Sequence, residues 1–324
     1  MTKVVRIGTR DSQLAVWQAT WVQELLKEKG VASELVYIKS EGDIDLVTPL
    51  YEIGVQGIFT KTLDAALLSN KIDIAVHSMK DVPTQLAKGI QEAAVLKRAS
   101  YKDILVYKED HIPEALGFVN CEWSMVNIDL LTIHNSPFTI ATSSVRRKAQ
   151  WLNRYPDHQF DNLRGNVNTR LRKLEESNWQ GAIFAAAGLE RINLRPEKAI
   201  DLDWMLPAPA QGAVMVVCRE GETEIFNHCQ QLHHNETAIC AHAERNFLRQ
   251  LMGGCATPIS ALAQIQDDQI YFQGNVVSLD GRQKVDISTT VPIAVGASIG
   301  TEAGQEILAM GAEEIIQEIR NAGK

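Results

Sequence analysis

Short apolar runs recur along the chain, each followed by a segment whose apolar residues return every three or four positions. Residues 3–8 (KVVRIG) read as a strand. Asp11 or Ser12 then caps a helix through LAVWQATWVQELLKEKG, and Gly30 stops it. ELVYI (34–38) reads as a second strand, 57–70 has helical spacing, and IDIAVHS (72–78) is a strongly apolar strand with a polar end. That β-α-β-α-β order predicts a parallel sheet with helices on its faces. The rhythm returns at FTIATSS (138–144), which leads into the helix VRRKAQWLNRY. A further helix covers TRLRKLEESN, and AIFAAAGLERI (182–192) reads as an apolar strand turning at Gly188. Leu206-Pro207-Ala208-Pro209 has the composition of a hinge, and VMVVCRE (214–220) is a strand able to return to the first sheet.

The last quarter has a different pattern. The helix ETAICAHAERNFLRQL runs to Gly253-Gly254. The strand-like segments ISALAQI, IYFQGNVVSL and KVDISTTV follow, separated by hairpin signals at Asp267-Asp268 and Asp280-Gly281. An amphipathic helix over 303–321 completes a small α+β unit. Residues 108–137 carry the weakest pattern and read as an irregular excursion.

Composition narrows the class. The 324 residues are 45% hydrophobic and 22% charged, with a net charge of -8, the profile of an ordinary globular chain of two or three domains. No apolar run approaches the roughly 20 residues of a membrane helix, and no long apolar stretch follows the first basic residues as in a signal peptide. Five scattered cysteines, Cys121, Cys218, Cys229, Cys240 and Cys255, form no C-x-x-C pair, which argues against a disulfide framework and a structural zinc site. The expectation is a cytoplasmic protein.

Against the acidic total, residues 141–195 hold ten basic side chains and five acidic ones. Solvated helix faces with i,i+4 pairs such as Arg172 and Glu176 would account for some of them. Their placement points further: Arg146 and Arg147 follow Ser143-Ser144 at a strand-to-helix turn, and Arg164 and Arg170 flank Gly165-Asn166 at another helix entry. Helix N-termini and arginine forks both favour anions, so a ligand with many carboxylates or phosphates fits. Neither a Walker A sequence nor G-x-G-x-x-G is present. A second constellation, His77-Ser78-Met79-Lys80-Asp81, lies at the carboxyl end of an apolar strand, where open α/β folds bind ligands. There a carboxylate beside a cation can move protons or stabilise positive charge; a surface Lys-Asp pair and a packed His77 are the plainer reading. A third is Gly253-Gly254-Cys255-Ala256-Thr257-Pro258, a thiol in a loop, either reactive or incidental.

Taken together, RIGTRDS (6–12), TPL (48–50), GIFTK (57–61), DIAVHSMKDVPT (73–84), TSSVRR (142–147), LRGNVNTRL (163–171), AAAGLERI (185–192), PAPAQGA (207–213) and GGCATPI (253–259) resemble the porphobilinogen deaminase family nearly end to end. The resemblance implies an α/β fold with two periplasmic-binding-protein-like (type II) lobes and a small C-terminal α+β domain. Its domains would be 1–98 with 213–230, 102–208, and 235–324. It implies a dipyrromethane cofactor on Cys255 through a thioether, made from the enzyme's own substrate. The implied reaction joins four porphobilinogens head to tail, with loss of four ammonias, and water then releases hydroxymethylbilane.

The resemblance also implies the roles of individual residues. Asp81 would be the catalytic carboxylate. Lys80, Ser144, Arg146, Arg147, Arg170 and Gln211 would hold the cofactor, and Arg10, Ser12, Arg164, Arg191 and Phe59 would hold the substrate. Each pyrrole ring carries an acetate and a propionate, which explains so many arginines. The implied partners are porphobilinogen and the growing polypyrrole chain, with no nucleic acid, membrane or metal, and the implied state is a monomer. Two departures stand out: Glu52 and Gln56 occupy positions where many relatives have lysine, and 108–137 fits the family poorly. A non-catalytic anion-binding protein on the same two lobes would need neither Asp81 nor a loop cysteine. A nucleic-acid binder would conflict with the acidic total and the lack of a stacking aromatic motif.

Overall fold

The computed structural model describes residues 4–39, 60–110, 112, 116, 137–251 and 257–322. The first stretch contains β1 (Val5–Thr9), α1 (Gln13–Glu28), β2 (Ser33–Tyr37), α2 (Lys61–Leu68), β3 (Ile74–Ser78) and β4 (Ile90–Val95). Next come β5 (Asp103–Tyr107), β6 (Thr139–Ala141), α3 (Val145–Arg154), β7 (Gln159–Asp161), α4 (Val167–Glu176), β8 (Gly181–Ala185), α5 (Ala186–Glu190) and β9 (Ala199–Asp201). The remainder is β10 (Val214–Arg219), α6 (Thr223–Gln230), α7 (Asn235–Gln250), β11 (Ile259–Gln266), β12 (Gln269–Val277), β13 (Lys284–Pro292), α8 (Ile299–Ile307) and α9 (Glu313–Ala322).

Among the described residues, two five-stranded sheets share one plan. The first has the order β2-β1-β3-β10-β4 and the second β7-β6-β8-β5-β9. In each, the three strands of the β-α-β-α-β rhythm run parallel and the fourth position is antiparallel. That fourth strand is exchanged. β5 follows directly from the first sheet but pairs in the second, and β10 comes back to pair between β3 and β4. The expected return of 214–220 to the first sheet is thus met, and two crossings join the lobes. They touch at Gly212, whose carbonyl accepts from Ala99 N (3.1 Å). Gly212 has φ +87, and a Cβ there would stand 2.5 Å from the Ser100 carbonyl oxygen, so no other residue fits without moving the hinge.

Burial follows the sequence. β3 and β10 are covered on both faces and read as unbroken apolar runs. On α1, Gln18, Ala19, Val22 and Leu26 form the buried stripe, and Gly30, at φ +75, follows its C-cap. The third sheet, β11-β12-β13, is an antiparallel meander. Its first turn places Asp267 and Asp268 both at positive φ, as a two-residue hairpin requires. Phe247 of α7 packs edge-on against Phe272 in the core of this C-terminal unit. The loop at Gly281 also docks the unit on the second lobe: Asn153 Nδ2 donates to the Gly281 carbonyl at 2.8 Å.

Three local readings change. AIFAAAGLERI is a strand only to Ala185, and Ala186 begins α5; a run of alanines has no period to separate the two states. The terminal helix is two helices, α8 and α9, parted at Gly311, which has φ +107. β4 and β5 are strands that local patterning did not single out.

Candidate active site

The carboxyl ends of β1 and β3 present the first lobe's side of a cleft. β3 ends at Ser78, whose Oγ accepts from Gln18 Nε2 (2.9 Å). A single 3-10 turn, Met79–Asp81, follows. Met79 is fully buried and anchors the turn, while Lys80 and Asp81 border the cavity. Lys80 Nζ donates to Gln211 Oε1 (3.3 Å), and burial pulls its ammonium down to about 8. His77 is also buried; burial and then the charge of Arg10 lower it to about 4, so it is neutral at neutral pH. Arg10 and Ser12 border the same cavity just after β1. Ser12 stands at the N-cap of α1, and its hydroxyl makes no capping bond.

The second lobe faces these groups with arginines. Ser144 caps α3, accepting from Arg147 N (3.4 Å), and places Arg146 and Arg147 on the first turn, both buried. They converge on Asp103, a fully buried carboxylate at the start of β5. Arg146 Nη2 reaches its Oδ2 at 2.7 Å, and Arg147 Nη2 and Nε reach its Oδ1 at 2.7 and 3.1 Å. Gln211 Nε2 adds a fourth donor at 2.9 Å. Burial alone would raise the Asp103 carboxyl, but Arg146 and Arg147 outweigh it and hold it well below the usual carboxylate range. The remaining forks of Arg146 and Arg147 end on the carbonyls of Leu206 (2.7 Å) and Ile183 (2.9 Å). Arg147 borders the cavity; Arg146 is not part of its lining.

Arg164, Arg170 and Arg191 border the cavity from the same side. Asn166 caps α4 by accepting from Thr169 N (2.9 Å), and Arg170 Nε donates to the Gly165 carbonyl at 2.7 Å. Burial, then the charges of Arg147 and Arg164, bring Arg170 down to about 10. Arg191 Nη2 donates to the Gly212 carbonyl (2.7 Å), and its guanidinium lies over the Trp17 ring at 5.7 Å. Its Nε is buried with no hydrogen-bond partner, and burial lowers the group to about 10. A guanidinium wall facing a cavity, buried at Arg164 and Arg191 and half-buried at Arg170, is chemically matched to carboxylates. The cavity holds about 270 Å³, near the lower end of small-molecule pockets.

Cys255 and Phe59, with Glu52 and Gln56, lie outside the described residues, as does most of 108–137. Sequence reasoning missed Asp103; its signal was an acid opening the otherwise apolar run DILVY. It also missed the lobe-to-lobe bond of Asn168 Nδ2 to Gln13 Oε1, 2.9 Å. Among the described residues no cluster of His, Cys, Asp and Glu is placed to hold a metal, and no helix is long and apolar enough to cross a membrane.

Two sheets of like strand order that exchange a strand, with an arginine-lined cleft and an aspartate on its opposite wall, define a two-lobed α/β protein whose cleft suits carboxylates. The chain belongs to the porphobilinogen deaminase family. Residues 5–227 match the family described as porphobilinogen deaminase, dipyromethane cofactor binding domain, and residues 238–309 match its C-terminal domain. Curated relatives named porphobilinogen deaminase include that of Syntrophotalea carbinolica, 38% identical over 97% of this chain and 96% of its own. Those of Moorella thermoacetica (40% identical, 98% and 96% covered) and Desulfitobacterium hafniense (41% identical, 98% and 97% covered) are similar. Among solved structures, the Bordetella pertussis BvgS periplasmic VFT2 domain covers 71% of this chain and 86% of its own, at a TM-score of 0.40 and 12% identity. The chain is accordingly a transferase of the hydroxymethylbilane synthase type, acting in tetrapyrrole biosynthesis with a dipyrromethane cofactor.

Proposed function

We propose that Asp81 carries the proton transfers of this synthase, and that the cleft arginines hold the acetates and propionates of the rings. The observation that carries the proposal is the pairing of Lys80 and Asp81 on one wall with Arg170 and Arg191 on the other, neither of which makes an ion pair among the described residues. Those cations suit the side chains of a dipyrromethane, so the residues present fit the cofactor. Lys80, Ser144, Arg147, Arg170 and Gln211 would hold it, with Arg146 bracing Arg147 through Asp103. When bound, the cofactor supplies the pyrrole carbon on which the chain grows.

Arg10, Ser12, Arg164 and Arg191, together with Phe59, orient porphobilinogen by its carboxylates and ring. Asp81 then passes a proton at the aminomethyl nitrogen as ammonia leaves, and its negative charge offsets the positive charge that develops on the pyrrole nitrogen. Lys80, charged below a pH of about 8, completes the carboxylate grip. The proposal assigns the thioether to Cys255 and the domains to 1–98 with 213–230, 102–208 and 235–324. It also takes the protein as a cytoplasmic monomer that acts on porphobilinogen and its polypyrrole products, without nucleic acid or membrane partners.

Intact-mass spectrometry of the denatured chain, followed by mapping of the Cys255 peptide, tests the anchor. The expected result is an added mass of two porphobilinogen units less two ammonias on Cys255, absent from Cys255→Ser. A chain that stays unmodified after incubation with porphobilinogen, or one modified elsewhere, would overturn the assignment.

A further inference from the structure

Helix α7 belongs to the C-terminal unit, yet one of its faces is turned to the first lobe. Ala238 and Ala241 pack in the first-lobe core beside Met79 and Val82, while Ala243 and Phe247 lie in the C-terminal core. Arg245 follows Ala238 and Ala241 at helical spacing, on the first-lobe side. Arg245 as a whole is buried, 8% exposed. Nη1 donates to the carbonyls of Met79 (3.1 Å) and Val82 (2.8 Å), and Nη2 donates to the carbonyl of Pro83 (2.6 Å). These three carbonyls bracket Asp81 on both sides. One planar group from another unit is therefore bonded to the backbone on either side of Asp81.

Before Asp81 the turn is also held by Met79, whose side chain is buried and whose N–H donates to the Ala213 carbonyl at 3.0 Å; beyond Asp81 its constraints are fewer. It is a single 3-10 turn closed by one backbone bond, Val82 N to the Met79 carbonyl at 3.2 Å, and Pro83 has no N–H to contribute. The neighbouring residue on α7 is committed elsewhere: Glu244 accepts from Arg98 Nη1 (2.6 Å), Ala210 N (2.6 Å) and Ala263 N (2.8 Å), at the hinge and at β11. Adjacent side chains of one helix thus bond to the hinge and to the Asp81 turn, and that helix ends at Gln250, before Cys255 in the sequence.

We propose that Arg245 is a positioning residue for Asp81, setting the carboxylate's place in the cleft through the Met79, Val82 and Pro83 carbonyls. The proposal rests on the catalytic assignment of Asp81. A lysine at 245 keeps the charge but cannot span three carbonyls, and displacement of a catalytic group by about 1 Å costs up to about 100-fold in rate.

The test is a double-mutant cycle on the cofactor-loaded full chain, with Arg245→Lys, Asp81→Asn and the double variant. Cofactor loading is read by intact mass, and kcat and KM are read separately. Arg245→Lys is expected to lower kcat by roughly 10- to 100-fold with KM and loading unchanged, and to cost nothing further in the Asp81→Asn background. Amide exchange of the 78–84 peptide should rise in Arg245→Lys while that of β10 stays at the wild-type level. An equal kcat loss in both backgrounds, an unchanged kcat, or an unchanged 78–84 exchange would overturn the proposal. A lysine variant that cannot fold would also overturn it, because Arg245 would then be a folding residue. Wild-type kcat in Asp81→Asn alone would instead remove the assignment of Asp81, a separate result.

Discussion

Two aspartates sit in the same field of arginines and are used in opposite ways. Asp103 is fully buried, accepts from Arg146, Arg147 and Gln211, and neutralises much of the charge brought to it. Asp81 is exposed in the cleft and faces Arg170, whose charge it supports across the cavity. The arginines divide in parallel. Arg146 and Arg147 are closed on an internal partner. Arg170 and Arg191 are held by carbonyls and a ring, with burial pressing on their charge. A desolvated cation without a close carboxylate is costly, so these two groups, Arg191 buried and Arg170 half-buried, are the ones in which an arriving carboxylate would offset the most. The same residue type is thus closed on an internal carboxylate in one place and left without one in the other, though Arg147 borders the cavity as well.

The comparison is broken most severely at Asp81. Asp81→Asn should lower kcat by about 10²- to 10⁴-fold, the usual worth of a general acid–base group, with an unchanged melting temperature and full cofactor loading. A folded, loaded variant with near-normal kcat would remove the distinction between the aspartates. Asp103→Ala should do the reverse, costing about 3–5 kcal/mol of stability by stranding two buried guanidiniums, read from the denaturant midpoint. The pH dependence has a fixed sign. Because the folded carboxyl titrates below its unfolded value, its contribution is complete above a pH of about 4 and is lost as the pH falls further. Asp103→Asn should lack that segment of the acid-stability curve; the same curve in both chains would mean the pair is not held in solution.

Arg170→Leu sharpens the contrast. It should leave the ligand-free chain as stable as before, or more so, while weakening cofactor assembly or raising KM about tenfold, the worth of one charge-assisted bond. Loss of stability without loss of binding would place Arg170 with the closed pair. The smallest effect concerns Lys80. Cofactor assembly on the unloaded chain should weaken severalfold as the pH passes about 8, where Lys80 loses its charge, and Lys80→Arg should carry that loss to higher pH. Assembly that stays level across that range, read by intact mass, would detach Lys80 from the cofactor.

Much of this arrangement was legible in the sequence. The paired β-α-β-α-β rhythms, the hairpin at Asp267-Asp268 and the stop at Gly30 are local patterns, and local chemistry sets them. β4 and β5 were not legible, because each is completed by a strand far away in the chain: β4 pairs with β10, and β5 with β8 and β9. The motif residues Arg146 and Arg147 stood out as anion-binding candidates, but spacing alone could not reveal that Asp103, 43 and 44 residues earlier, already occupies their forks. Arg245 was hidden for the same reason. It lies on a helix with an ordinary amphipathic pattern, and its partners are backbone carbonyls more than 160 residues away.

The exchanged strands also set a timetable for synthesis. The second sheet has all its strands once Asp201 has left the ribosome, whereas the first must wait for residues 214–219 to fill the gap between β3 and β4. Until then β3 has an open edge and β4 has no partner strand at all, a template for wrong partners. The lobe that is made first is therefore finished last, and a chain halted near residue 210 would leave the ribosome with a complete second sheet and an open first one.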